Sequence, residues 1–356
     1  MAIILMVALC LAFWNGANDN FKGFATAWGS ETLSYRKALL MATLATVGGS
    51  LMSMVLAHEL AQQFSGKGLL PDAIVSGPRF LLSVGIGAAL TVVIATRAGL
   101  PISTTHALIG GLVGAGLAAS PNQVQFGRLW NTFLLPLLFS PIVAALMGML
   151  AYRLILRPLQ QECVCVQMPQ PELSTTGEAA LSVTESFLVI DKEVVCDALP
   201  APVIRWSIAR FLDHLHSASA ALICFARGVN DTPKLAALLI AANLSGVRLS
   251  VTAIAIAMAV GGLLFARRVA ETMSRRVTRM NHTQGVAANL ITAVLVLGAS
   301  QLGWPVSTTH VSVGSIAGVG AGAHTLNWET LRNILLSWIA TLPLAAGTAW
   351  VAMTLF

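Results

Sequence analysis

Two short motifs each occur twice in this sequence. Phe13-x-x-Gly16-x-Asn18-Asp19-x-x-Lys22 recurs 212 positions later as Phe225-x-x-Gly228-x-Asn230-Asp231-x-x-Lys234. Gly99-Leu-Pro101-Ile-Ser103-Thr104-Thr105-His106 recurs 204 positions later as Gly303-Trp-Pro305-Val-Ser307-Thr308-Thr309-His310. The residue types suit the binding of an oxyanion. Ser103, Thr104, Thr105, Ser307, Thr308 and Thr309 offer hydroxyls. A helix starting after Pro101 or Pro305 leaves its first amides without backbone partners. Those amides, at the positive end of the helix dipole, attract negative charge. Asn18, Asp19, Asn230 and Asp231 supply amide and carboxylate groups. These could hold a sodium ion, or accept the proton that hydrogenphosphate carries and sulfate lacks. Lys22 and Lys234 place an ammonium group beside each pair. The competing reading of the Ser-Thr-Thr triplets is plain helix capping; two copies, each accompanied by an Asn-Asp pair, favour a shared binding site. His106 and His310 read as gating or capping residues. No metal triad and no nucleophile–base pair has a recognisable spacing, so the expectation is no catalytic residue, no resident metal or cofactor, and not an enzyme.

These residues need elements to hold them, and composition says which. Of 356 residues, 56% are hydrophobic and only 10% charged, against about 25% charged in soluble domains. Mean hydropathy is +0.77. A soluble enzyme and a nucleic-acid binder are both disfavoured. The net charge of +6 fits a membrane protein with basic cytoplasmic loops better than a nucleic-acid partner. The expected fold class is an all-α polytopic membrane protein. The five cysteines, including Cys163-x-Cys165, have no disulfide spacing and read as reduced thiols.

Apolar stretches fill 2–156 and resume from about 206, and several approach the ~20 residues that span a bilayer. Polar interruptions fall at 15–22, 99–106, 227–234 and 303–310, which predicts a helix break at each. The intervening segment holds Glu162, Glu172, Glu178, Glu185, Asp191, Glu193 and Asp197. The chain therefore reads as a first membrane repeat (1–156), a soluble linker (157–204) and a second membrane repeat (205–356). Each repeat is expected to cross the bilayer an odd number of times. That makes two inverted-topology repeats with broken helices and re-entrant helical hairpins, a transporter architecture. Of the 21 basic residues, Lys67, Arg79, Arg128 and Arg248 fall on one side. Lys22, Arg97, Arg227 and Lys234 lie at the breaks, and the rest share the other side. The positive-inside rule then puts the linker in the cytoplasm and both termini outside. Asp213, His214 and His216, ahead of the second Asn-Asp pair, read as interfacial polar residues.

The motifs resemble those of the inorganic phosphate transporter (PiT) family. The resemblance rests on Gly16-Ala17-Asn18-Asp19, Gly228-Val229-Asn230-Asp231 and both Pro-[Ile/Val]-Ser-Thr-Thr-His boxes. It implies a multi-pass protein of the cell membrane, frequently a homodimer, that moves inorganic phosphate by symport with protons or sodium. Short loops suit a bacterial inner membrane. A sulfate permease of the same family is the alternative, and an anion channel or a transporter-like sensor a more distant one. One departure stands out. The family pattern continues Val-Ala-Asn-Ala after Asn-Asp, whereas Lys22 and Lys234 occupy the later Asn position here. The expectation is that the two ammonium groups act as tethered cations and reduce the need for sodium.

Overall fold

The computed structural model describes residues 2–156, 162–167, 187–192, 203–244, 246–277 and 280–356. Ten principal helices fall into two matching series. The first holds α1 (Ala2–Asp19), α2 (Tyr35–Leu56), α3 (Pro78–Arg97), α4 (Thr104–Ala119) and α5 (Leu135–Ala151). The second holds α6 (Ile208–Ala241), α7 (Val247–Phe265), α8 (His282–Gln301), α9 (Thr308–Gly322) and α10 (Trp328–Leu355). Among the described residues, seven helices are long and apolar enough to cross a membrane. The 34-residue α6 has the length as well, with Arg227, Asp231 and Lys234 along it. Large apolar side chains such as Leu138, Phe139, Ile142, Leu146 and Leu150 point outward. Water would not tolerate so broad an apolar surface on a monomer, and a bilayer favours it. This is a multi-pass membrane protein.

The two series interleave. α1 packs against α7 and α6 against α2; α4 packs against α10 and α9 against α5. Most helices thus find their main partner in the other half, while α8 packs mainly on α6 of its own. Glycines make the close approaches. A methyl group on Gly16 would overlap the Met258 carbonyl, and one on Gly261 the Phe13 carbonyl. The equivalent pairs, Gly228 with Thr46 and Gly49 with Phe225, repeat this contact with the halves exchanged. The small-xxx-small pairs of the short helices behave alike: Gly110 and Gly114 abut the Leu342 and Ala346 carbonyls, Gly314 and Gly318 those of Pro141 and Ala145. Helices without a Cβ in the way can pack backbone to backbone, the usual basis of association in lipid.

Three breaks form where the sequence places them and one does not. α1 ends at Asp19, and the chain turns before the short helix Ala25–Gly29. The segments after α3 and α8 leave helical geometry at Gly99 (φ +72°) and Gly303 (φ +68°), a left-handed conformation that side chains with a Cβ rarely adopt. The break expected at 227–234 is absent, because α6 runs unbroken through it with Pro233 inside. Gly23, which lies against the Ala220 carbonyl at the first break, is matched in the second half by Leu235, a strong helix former.

The central segment contributes strands, which the sequence reading of a linker did not include. β1 (Glu162–Gln167) pairs antiparallel with β2 (Phe187–Lys192) and β3 (Val203–Ser207), in the order β2-β1-β3. The remainder of the expected linker, 157–161, 168–186 and 193–202, lies outside the described residues.

The glycine contacts predict opposite effects for one substitution at two positions. Gly261→Ala should cost about 1–3 kcal/mol through overpacking or block folding. Gly347→Ala, where a Cβ meets nothing within 4 Å, should be neutral or slightly stabilising in its helix. Thermal unfolding of the two purified variants checks this.

Candidate functional site

The two Ser-Thr-Thr boxes begin the short helices α4 and α9. Ser103 is the N-cap of α4 and its hydroxyl accepts a bond from the His106 amide at 3.1 Å. Ser307 does the same for His310 at 3.3 Å. Capping and anion binding are compatible here, since a serine oxygen that accepts still carries a hydrogen to donate. Pro101 and Pro305 sit two residues upstream of the caps, in the extended approach. The imidazoles of His106 and His310 do not cap; their backbone amides are capped instead. The rings meet edge to face with centroids 4.4 Å apart. His310 stacks on Trp338, and the Trp338 indole donates to the Pro101 carbonyl at 3.1 Å.

The Asn-Asp pairs are locked onto these boxes. The Asn18 amide donates to the Thr96 hydroxyl at 2.9 Å and the Leu100 carbonyl at 3.0 Å, and its oxygen accepts from the Ile102 amide. In the second half the Asn230 oxygen accepts from Ser300 at 3.1 Å, and its amide donates to Asp231 and to the Val306 carbonyl. Thr96 and Ser300 are related by the same offset of 204 as the boxes.

The lysines cross between halves. Lys22 pairs with Asp19, donates to the Ile102 carbonyl of its own half at 3.1 Å, and reaches the Thr309 hydroxyl of the other. Lys234 lies 3.8 Å from Asp231, and donates to the Val306 carbonyl at 2.7 Å and across to the Thr105 hydroxyl at 3.0 Å. The threonines close the cross-links, Thr309 donating to the Ile102 carbonyl and Thr105 to that of Val306. Each ion pair is internal to its half, at i,i+3 spacing, and each contact to a threonine spans the two. Asn18, Asp19, Lys22, Ser103, Thr104, Thr105 and their counterparts in the second half are all buried.

Two further residues belong to this cluster. Asn15 donates to the Thr104 hydroxyl at 2.8 Å and lies 3.4 Å from Asp19. Arg227, 1% exposed, occupies the matching position 212 residues later. The repeat offset was the signal that could have found Asn15. Arg97, grouped with the break residues by sequence, is exposed at the end of α3, with its guanidinium over the Trp14 ring. His216, expected at an interface, is fully buried and 2.9 Å from the Thr26 hydroxyl, whereas Asp213 pairs with His282 nearer the surface.

A family model described as "Phosphate transporter family" matches residues 15–349. The chain belongs to the phosphate transporter family. Its relatives include the chloroplastic inorganic phosphate transporter 2-1 of Arabidopsis thaliana. That protein is 28% identical, over 96% of this chain and 70% of its own. A Thermococcus kodakarensis protein, named provisionally as a phosphate permease, is 26% identical over 97% of this chain and 95% of its own. A solved structure, the sodium-dependent phosphate transporter, superposes with a TM-score of 0.79 at 23% identity, covering 100% of this chain and 99% of that one. That likeness establishes the fold. The family is one of transporters, not enzymes.

Removing Lys22 alone should leave Asp19 buried without its cation. Lys22→Met is therefore expected to destabilise by about 3–5 kcal/mol. The double variant Asp19→Asn, Lys22→Met should recover most of that loss. Thermal unfolding of both purified variants measures the difference.

Proposed function

We propose that this protein is a secondary active transporter of inorganic phosphate, working by alternating access between its two halves as a symporter. The observation that carries the reading is the crosswise bonding of Lys22 to Thr309 and of Lys234 to Thr105. Cations, hydroxyls and helix starts from both halves converge on one buried place. An oxyanion seated there would engage both halves at once, so a shift of one half against the other would change the side to which it is exposed. Membership of a phosphate transporter family supports phosphate as the anion, as do the names of the relatives. A sulfate permease is the alternative; two buried aspartates beside the boxes favour the anion that carries a proton.

The reading extends to topology. The matching helix series support two inverted repeats, with α4 and α9, at 16 and 15 residues, as arms of re-entrant hairpins. The distribution of basic residues supports external termini and a cytoplasmic central segment. The family resemblance supports a homodimer, and short loops support a bacterial inner membrane.

For coupling, protons are favoured over sodium. A sodium site would draw on the oxygens of Asn18, Asp19, Asn230 and Asp231. Those of Asn18 and Asn230 accept protein hydrogen bonds, and the carboxylates face lysine ammonium groups. The lysines stand where a mobile cation would.

Uptake of labelled phosphate and labelled sulfate into proteoliposomes, with sodium and proton gradients imposed separately, tests this. Saturable phosphate uptake driven by the proton gradient is expected, together with a gain of sodium dependence in the Lys22→Asn, Lys234→Asn double variant. Strong, saturable sodium dependence of the wild type would overturn the coupling reading. Preference for sulfate would overturn the choice of substrate.

A further inference from the structure

We propose that Arg227 is a resident counter-ion for the substrate oxyanion. Its role would be distinct from that of the two lysines, which neutralise the two aspartates. The inference rests on the oxyanion-transport reading above and concerns where the charge that meets the anion resides.

The cluster holds two carboxylates, Asp19 and Asp231, and three cations, Lys22, Lys234 and Arg227. Asp19 is paired with Lys22. Asp231 faces two cations, Lys234 at 3.8 Å and Arg227 Nε at 3.5 Å. One positive charge is left over. An unbalanced charge in a membrane protein core is costly and marks function by default, and a guanidinium cannot lose its proton to relieve the excess.

The hydrogen bonds of Arg227 point the same way. Its terminal nitrogens donate to neutral acceptors of the first half: the Asn15 side chain at 2.8 Å, Asn20 at 3.3 Å and Thr46 at 3.4 Å. Its buried Nε–H faces Asp231 Oδ2 at 3.5 Å in an ion pair that does not close into a hydrogen bond, and neither atom has a hydrogen bond elsewhere. A buried donor without a well-formed hydrogen bond is rare in native proteins and leaves room for a further acceptor. An oxyanion oxygen is an acceptor of the right kind, and the charge-assisted bond it would form is among the stronger ones. The repeat sharpens the point. Asn15, at the matching position, satisfies Thr104, whereas no hydrogen bond engages the Thr308 hydroxyl among the described residues. The second half therefore keeps a positive charge in excess, a donor held by a long ion pair alone and a hydroxyl without a hydrogen bond among the described residues, where Asn15 and Thr104 of the first half bond each other.

Equilibrium binding of labelled inorganic phosphate to the purified full chain, in choline chloride and in sodium chloride, tests this. Wild type is expected to bind in choline chloride. R227N, which installs the residue found at the matching position, should bind at least about tenfold more weakly there, the scale of one close charge at protein-like screening. Sodium should restore R227N to within about threefold of wild type, since a mobile cation can then supply the missing charge. R227K should stay within about threefold without sodium. The proposal is overturned if R227N binds as tightly as wild type in choline chloride, if R227K is impaired as much as R227N, or if sodium does not restore R227N. Wild type that binds phosphate only in sodium also overturns it, whether or not R227N folds. Absence of phosphate binding by wild type in both salts overturns this proposal and the phosphate reading together.

Discussion

A charge inside a bilayer-spanning bundle must be met by protein, because lipid offers nothing to solvate it. That constraint organises the centre of this molecule. Asp19 and Asp231 lie one helical turn from Lys22 and Lys234, so each carboxylate has a cation supplied by local spacing. A lysine has three hydrogens to place. The remaining ones go to the carbonyls of Ile102 and Val306 and to a threonine of the opposite half. Those carbonyls are free to accept only because the chain has left helical geometry at Gly99 and Gly303. The breaks, the charges and the crossing of the halves are one solution to one problem.

The same constraint explains why the halves are interleaved rather than merely adjacent. A cluster assembled from one half would satisfy its ion pair and leave an ammonium donor unmet. The second half supplies the acceptor, and the backbone-to-backbone glycine contacts bring it close enough. Burial of the polar groups is thus a property of the pair of halves.

Much of this was legible in the sequence, since the residue types that bear charge and the residues that break helices recur at fixed offsets. The motifs located both aspartates and both lysines of the cluster, the tally of basic residues placed Arg227 at a break, and hydropathy located the helices. What escaped was of four kinds. Continuity of α6 through 227–234 depends on Leu235 standing where Gly23 does, a local preference that the matching Asn-Asp motif outweighed in the reading. The partnership of each lysine with the opposite threonine is a three-dimensional fact with no sequence spacing. Arg97 and His216 were misplaced because a polar residue near a predicted helix end carries no mark of whether it turns toward the core. Pairing of β1 with β2 and β3 joins segments too far apart for alternation to reveal.

The glycine contacts say something about how two matching halves can differ in sequence and keep one geometry. Gly16 abuts the carbonyl of Met258, and Gly228 abuts that of Thr46. The obstacle is main chain in both cases, so the residue that owns the carbonyl can be a thioether in one half and a hydroxyl in the other. The glycine facing it has no such freedom. Tolerance to substitution thus belongs to one side of each contact and not to the other. Asn15 and Arg227, one residue before those glycines, differ in chemistry while the geometry around them is the same.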